Sequence, residues 1–299
     1  MTYPGGKNGS GIYQRLINLM PPHQVYVEPF LGGGALMRLK RPAAINIGVD
    51  LNGDLIGRWL ASIAGNGAPA APWILPPETP ETPVPADLGG NGVGRSRTAE
   101  NGDRRRRASP ALPVPDPVAT TVRSGVVAGG IARNAGAISR FDFRQGDGIA
   151  FLETCGGSFS GREMLIYCDP PYLLSARTSC DEDYYRCEMT DVQHRKLLRI
   201  LRRLKCRVML SGYSSHLYDK HLEGWNSIRY MAPTRRGFRE EWLWFNFPAP
   251  VELHDYRYLG EDYRERENLK RQQRRWKAKL MAMPLPQRQA LLAAIADTA

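Results

Sequence analysis

The chain has 299 residues, of which 42% are hydrophobic and 24% charged, a near-average globular composition that excludes a wholly disordered, collagen-like or coiled-coil protein. Lys and Arg (41) outnumber Asp and Glu (30), so the formal net charge is +11 and nucleic acid is the first partner to consider. The five cysteines contain no C-x-x-C pair, and the chain has neither a signal-peptide pattern nor a membrane-length apolar run. We therefore expect a soluble, cytoplasmic protein with reduced thiols, without a membrane or a metal as partner.

The first predicted elements are two strands, each followed by a turn and a helix. Residues 24–30 are β-rich and end at a glycine turn over 32–34, after which 35–40 has helix-forming composition. Residues 44–50 predict a second strand ending in Asp50, with a helix over 55–62. The glycines allow close approach to a ligand, and an acid about 20 positions later binds a ribose hydroxyl in mononucleotide-binding folds. Because the turn is not G-x-G-x-x-G, a nucleoside without phosphates, such as S-adenosylmethionine, fits better than NAD.

The middle of the chain changes composition abruptly. Residues 74–140 contain no Phe, Tyr or Trp, and eleven prolines lie between Pro69 and Pro117. Such a Pro/Gly/Arg-rich stretch is typical of a flexible basic insertion rather than a packed domain.

Further strands and helices are predicted after the insertion. Residues 164–168 form a buried strand, 190–204 an amphipathic helix, and 207–210 and 241–247 two more strands. The tail is helix-permissive, and its excess of Lys and Arg indicates either a solvated face or support for phosphate binding. Strands alternating with helices predict an α/β fold with a mostly parallel sheet, which binds ligands at the carboxyl ends of its strands.

The tetrapeptide Asp169-Pro170-Pro171-Tyr172 follows the buried strand and is the most informative motif in the chain. Its prolines lack N–H donors, which leaves the Asp169 carboxylate and the Pro170 carbonyl as hydrogen-bond acceptors. An amino group bound there would have both hydrogens accepted, which would draw the lone pair of an adenine amine out of the ring. Tyr172 offers a face on which an extruded base can stack.

Five motifs in chain order resemble those of the Dam-like adenine-N6 DNA methyltransferases of bacteria and phages. The resemblance covers about 1–60 and 141–250 and implies a Rossmann-like, S-adenosylmethionine-dependent methyltransferase fold that acts on DNA. The matching segments are Tyr3-Pro4-Gly5-Gly6-Lys7, Val27–Gly34, Asp50-Leu51-Asn52, Asp169–Tyr172 and Leu210–Tyr213.

The resemblance also implies roles for individual residues. Asp169, Pro170 and Tyr172 would be catalytic. The positions that match cofactor-binding positions or the cofactor loop are Tyr3, Lys7, Glu28, Phe30, Gly32, Gly34, Asp50 and Asp169. From the residues themselves, Asp147 at a predicted strand end is a further candidate for the cofactor, and the basic loop with Arg235, Arg236 and Arg239 is a candidate for DNA contact.

These interpretations divide the chain into three parts. Residues 1–64 and 141–250 would form the S-adenosylmethionine-binding catalytic domain, 65–140 an irregular insertion where the family carries its target-recognition domain, and 251–299 a basic helical tail. Because 65–140 does not resemble a packed recognition domain, two alternatives stay open. One is an amine methyltransferase acting on cytosine N4, RNA or a protein glutamine. The other is a DNA-binding homologue with impaired catalysis.

Overall fold

The computed structural model describes residues 7, 9, 11–64, 131–134, 137–155, 158–176, 188–234 and 237–298. Tyr3, Arg235, Arg236 and most of the predicted insertion lie outside these residues. The described strands are β1 (Val25–Glu28), β2 (Ile45–Asp50), β3 (Ile131–Asn134), β4 (Ala137–Gln145), β5 (Ser160–Cys168), β6 (Lys205–Gly212), β7 (Asn226–Thr234) and β8 (Gly237–Phe245). They form one sheet in the order β3-β4-β2-β1-β5-β6-β8-β7.

The centre of this sheet is parallel. β4, β2, β1, β5 and β6 pair in parallel, whereas β3, β8 and β7 add antiparallel strands at the two edges. The chain builds outward from β1 through β2 to β4, then returns to place β5 on the other side of β1. This reversal of strand order is the arrangement of a doubly wound, Rossmann-like sheet. The predicted α/β class with a mostly parallel sheet is confirmed.

Helices connect the strands and cover the sheet. The predicted helix over 190–204 is observed as Asp191–Arg203, because Thr190 and Gln193 form a capping box and Leu197 and Leu201 are fully buried. The described helices are α1 (Ile12–Ile17), α2 (Ala35–Leu39), α3 (Gly53–Ala64), α4 (Gly148–Cys155), α5 (Asp191–Arg203), α6 (His216–His221), α7 (Tyr263–Ala282) and α8 (Leu285–Ala296). None of them is long and apolar enough to cross a membrane.

Apolar side chains cover both faces of the sheet. Tyr26 and Leu165 belong to one buried cluster, whereas their chain neighbours Val27 and Ile166 belong to the other. This alternation is the period-2 pattern expected of strands buried on both faces. The central strands are therefore held between two layers, which fixes where their carboxyl ends emerge.

After the insertion, the chain returns to the sheet earlier than its composition indicates. β4 spans residue 140, the last residue assigned to the insertion, and β3 starts at Ile131. Arg140 is already in parallel register with Ile45 of β2. Backbone pairing needs no aromatic side chain, so the lack of aromatic residues did not reveal these strands.

The first residue of α4 lies directly against the loop that follows β1. A Cβ atom on Gly148 would fall 2.0 Å from the carbonyl oxygen of Pro29, so only glycine allows this approach. The contact joins the ends of β1 and β4, on which the candidate site depends.

We expect Gly148→Ala to lower the free energy of unfolding by about 1–3 kcal/mol, the usual cost of overpacking, in chemical denaturation. Gly57→Ala is the matched control, since a Cβ there meets no atom within 4 Å and alanine favours the helix. Equal stabilities of the two variants would contradict the close contact at Gly148.

Candidate active site

A cleft opens at the carboxyl ends of the parallel strands. Residues at or just after the ends of β1, β2, β4 and β5 line it, and residues at the start of α5 and just before it close one side. The lining residues are Pro29, Phe30, Gly32, Asp50, Leu51, Asp147, Gly148, Ile149, Asp169, Pro171, Glu188, Met189 and Gln193. The structure thus brings together the glycine turn, both predicted strand-end acids and the D-P-P segment.

Hydrogen bonds tie the glycine turn to the end of β2. The Asp50 carboxylate accepts one hydrogen bond from the Gly32 backbone N–H and another from that of Asn52, each at 2.8 Å. Gly32 and Gly34 have φ values of 48° and 55°, in the left-handed region that favours glycine. A Cβ on Gly34 would also lie 2.3 Å from the Trp59 ring. Gly34 thus shapes the turn, whereas Gly32 and Phe30 line the cleft.

The polar side chains of the cleft are mainly carboxylates. Asp50, Asp147, Asp169 and Glu188 line it, and none of the described lining residues is Lys or Arg. Asp147 also caps α4, with its Oδ1 accepting the Ile149 N–H at 2.8 Å. Such a cleft attracts an amine or a cation and repels phosphate. Among the described residues, no group of three or more His, Cys, Asp or Glu side chains is arranged to hold a metal ion.

A buried polar cluster lies behind Asp169. The Lys7 ammonium is 3.0 Å from Asp169 Oδ1 and 3.3 Å from Glu241 Oε2, and it donates to the Tyr172 hydroxyl at 2.6 Å. Glu241 Oε2 also accepts hydrogen bonds from the hydroxyls of Tyr172 (2.9 Å) and Tyr230 (3.1 Å). We call these five residues the Lys7 cluster. It joins the D-P-P-Y motif to the antiparallel strands β7 and β8.

Electrostatics keeps Lys7 charged despite its burial. Burial disfavours the ammonium, but the carboxylates of Asp169 and Glu241 outweigh it and raise the pKa of Lys7 well above its ordinary value. Burial raises the pKa of Asp169, with Lys7 opposing this shift and Glu241 adding to it. Asp169 thus keeps more affinity for a proton than an exposed aspartate, while its side chain stays 22% exposed towards the cleft.

Four predicted residues, Lys7, Glu28, Pro170 and Tyr172, lie beside or beneath the cleft rather than on its walls. Pro170 is buried between Asp169 and Pro171, which both line the cleft. Glu28 is 2% exposed and accepts a hydrogen bond from Tyr26 at 2.8 Å, and burial raises its pKa to about 8. The Tyr172 ring is 4% exposed and packs edge-on against Tyr213, so stacking of a base on it stays a prediction. Lys7 contacts Asp169 from behind.

Arg239 lies next to this site. Its guanidinium stacks on the Tyr213 ring, 3.7 Å from the centroid, and donates a hydrogen bond to the Ala176 carbonyl just after the D-P-P-Y motif. Its contact with DNA stays a prediction. In the structure Arg239 connects β8 to the loop that carries the motif.

Sequence reasoning missed Glu241 and Tyr230 in the cluster and Glu188, Met189 and Gln193 in the cleft. Glu241 carried a signal, because it lies two residues before Leu243 and therefore on the buried side of its strand. A charged residue at a buried strand position is uncommon and needs a partner.

No protein-family model and no curated protein matches this chain. Among solved structures it is similar to a precorrin-8w decarboxylase from Methanobacterium thermoautotrophicum, with a TM-score of 0.36, 10% identity, and coverage of 80% of this chain and 91% of that one. It is also similar to magnesium protoporphyrin IX methyltransferase from Synechocystis with bound S-adenosylmethionine, with a TM-score of 0.36, 11% identity, and coverage of 79% of this chain and 76% of that one. A third similar structure is an rRNA methylase from Streptococcus thermophilus, with a TM-score of 0.36, 9% identity, and coverage of 78% of this chain and 93% of that one. These likenesses are too distant to assign a function.

We expect Lys7→Met to lower the free energy of unfolding by about 3–5 kcal/mol at neutral pH, because it leaves two buried carboxylates without their cation. Without Lys7 the folded-state pKa of Asp169 lies still further above its unfolded value. The loss should therefore be small below about pH 4 and should grow as the pH rises.

Denaturation between acidic and neutral pH measures this effect, with Lys220→Met on the exposed side of α6 as the control. The double variant Lys7→Met/Glu241→Gln should regain part of the stability at neutral pH, because it removes one of the two unpaired charges. A loss independent of pH, with no recovery in the double variant, would contradict the ion pairing.

Proposed function

We propose that the chain is an S-adenosylmethionine-dependent DNA methyltransferase that modifies the N6 amine of adenine. One observation carries the proposal. The carboxyl ends of four adjacent parallel strands bring the glycine turn, Asp50, Asp147 and Asp169 into a single cleft. These are the residues that two independent sequence arguments, for a nucleoside and for an amine acceptor, singled out.

The residues of the cleft fit this cofactor. It carries a sulfonium, an ammonium and one carboxylate, so its net charge is positive, and it has no phosphate. This net charge suits a cleft with four carboxylates and no described Lys or Arg. Asp50, held by two backbone N–H groups, has lone pairs left for ribose hydroxyls, and Asp147 suits an adenine amine. Phe30 and Ile149 provide apolar walls. When bound, the cofactor would supply an electrophilic methyl group.

Asp169 is the residue that would act on the substrate amine. Its contacts with Lys7 and Tyr172 are made through Oδ1, and no described residue donates a hydrogen bond to Oδ2. Oδ2 and the Pro170 carbonyl would accept the two N–H bonds and hold the nitrogen in place. Asp169, with its raised pKa, is also suited to take the proton that the amine releases on methylation. Alignment and fixed acceptors would supply most of the rate enhancement.

Two observations support DNA as the substrate. The chain carries a net charge of +11 although its cleft is acidic, so its cationic surface lies elsewhere and can attract a polyanion. The five ordered motifs that resemble the Dam-like family support adenine over other amine substrates.

The test is transfer of labelled methyl from S-adenosylmethionine to duplex DNA, followed by nucleoside analysis. We expect N6-methyladenine from the wild type and a loss of at least about 10²-fold in Asp169→Asn, which keeps the shape but removes the acceptor charge. Asp142→Asn, on β4 and paired with Arg144 away from the cleft, is the matched control and should retain activity.

The other outcomes separate the alternatives. N4-methylcytosine, or label in RNA or protein but not in DNA, would replace the substrate and keep the chemistry. Salt-sensitive DNA binding without any transfer would indicate a DNA-binding homologue that lacks catalysis. Full activity of Asp169→Asn would remove Asp169 from the mechanism.

A further inference from the structure

Glu241 lies behind the candidate site and lines no part of the cleft. It is 3% exposed on β8, and its contacts go to Tyr172, Tyr230 and Lys7. We propose, building on the proposed function, that Glu241 is a positioning residue that holds Lys7 and Tyr172 behind Asp169, so that Asp169 stays available to the substrate amine.

The hydrogen-bond geometry supports this role. The Tyr172 hydroxyl has one proton and, among the described residues, two carboxylate acceptors, Glu241 at 2.9 Å and Asp169 at 3.2 Å. The shorter contact favours Glu241 as the acceptor, while the hydroxyl oxygen accepts from Lys7. If the Glu241 carboxylate were neutral, the Tyr172 proton would turn to Asp169, whose capacity to hold an amine would fall.

The charges of the cluster lead to the same conclusion. The Lys7 cluster contains one ammonium and two carboxylates, so it presents one net negative charge next to the cleft. Glu241 offsets Lys7 from the buried side and leaves the charge of Asp169 for the ligand. The negative charge of Glu241 also raises the pKa of Asp169, so loss of the Glu241 charge would lower the proton affinity of Asp169. The titratable groups that interact with Asp169 among the described residues are Lys7, Tyr26, Glu28, Tyr167, Cys168, Tyr172, Tyr218, Tyr230 and Glu241.

The test compares Glu241→Gln with Glu240→Gln, its neighbour on the exposed side of the same strand. We expect Glu241→Gln to lower kcat about 10- to 100-fold with little change in the KM for the cofactor, because the amine is misaligned while the cleft is intact. The acidic limb of its pH–rate profile should move to lower pH, which a purely structural defect would not cause.

The outcomes distinguish the two proposals. A wild type without turnover would overturn the proposed function. An active wild type in which Glu241→Gln equals Glu240→Gln, or in which kcat falls with no shift of the acidic limb, would overturn the positioning role. Glu241→Asp keeps the charge and should keep the wild-type acidic limb even where packing is disturbed.

A second, independent observation concerns α7. This helix contains eight Lys and Arg residues and two Glu, and no acidic residue occurs over 268–282. Residues 271–279 are all exposed. The helix is held at its start, where Arg266 is 2% exposed and donates to the carbonyls of Gly260 and Glu261. We infer that α7 is a binding surface for the phosphate backbone of duplex DNA.

Charge and its distribution support this partner. Arg271, Arg275 and Lys279 follow one another at i, i+4 spacing, which destabilises an isolated helix unless an anion offsets the repulsion. Lys270 and Arg274 share the carboxylate of Glu267. A second copy of the same surface would add to the repulsion, whereas a row of phosphates would relieve it.

The apolar residues of α7 line an open groove. Leu269, Trp276 and Leu280 share this groove with Leu292 of α8, and Trp276 is 62% exposed. The choice of DNA therefore follows from the cations, whose i, i+4 row matches a linear array of phosphates. Binding to a lipid surface is tested as a separate outcome.

The test is binding of the full chain to a short mixed-sequence duplex at several salt concentrations, without cofactor. Replacing Arg271, Arg274, Arg275 and Lys279 by Gln should weaken binding about tenfold or more. It should also flatten the plot of log affinity against log salt by about 0.9 for each phosphate that the helix no longer neutralises. The charge-matched control replaces the exposed Arg195, Arg199, Arg202 and Arg203 of α5.

Equal weakening in the α5 control, or unchanged binding in the α7 variant, would overturn the inference. Binding to vesicles with anionic lipid that is lost in the α7 variant, with DNA affinity unchanged, would replace DNA by a membrane. A change in oligomeric state, with DNA affinity unchanged, would replace it by a second copy. The readout needs no methyl transfer, so it stands apart from the proposed reaction.

Discussion

The candidate site depends on the parallel pairing of β1 with a different strand on each side. Glu28 is in register with Gly48 of β2, and Val27 is in register with Ile166 of β5. The loops after these strands therefore leave the sheet at one edge and diverge to either side, which opens a crevice. The glycine turn, Asp50 and Asp169 meet there because of this pairing, although more than a hundred residues separate the first from the last.

The second constraint is the cost of burying charge behind that crevice. Removing Lys7, Asp169 and Glu241 from water is expensive, and well-packed apolar residues commonly stabilise a fold as well as a buried ion pair does. Stability alone does not explain why charged residues occupy these positions. The cluster also includes Tyr230 of β7 and Glu241 of β8, although these two strands line no part of the cleft. It thereby makes the orientation of Asp169 depend on the antiparallel edge of the sheet.

Sequence predicted the elements whose signals are local. β1, β2, β5 and α5 were predicted within a few residues, because apolar runs, terminal glycines or acids, and the cap-like Thr190 and Asp191 can be read from neighbouring positions. β3 and α4 were not predicted, although Asp147 caps α4. The start of β4 is set by pairing with β2 rather than by side chains, so composition placed the boundary too late.

The residues of the site divide in the same way. Asp50, Asp147 and Asp169 lie at or just after the ends of strands, and parallel strands end at one edge, so their convergence followed from the order of the elements. The Lys7 cluster did not follow, because Lys7 lies 165 positions from Tyr172 and 69 more separate Tyr172 from Glu241. Only the packing of strands that are distant in the chain reveals which charges meet. Glu28 is in a motif but faces Tyr26, which the motif alone does not reveal.

The separation of charge within the chain bears on how a substrate would enter. The cleft is lined by four carboxylates, whereas the chain as a whole carries +11 and α7 alone has six more cations than anions. Phosphates are attracted to the outer surface and repelled from the cleft. On the proposed function, a nucleotide can reach Asp169 only through its uncharged base, with its phosphate left outside. Extrusion of the base from the duplex is then favourable at both surfaces, because it places the amine next to the carboxylates of the cleft and leaves the phosphate backbone next to the cations outside it.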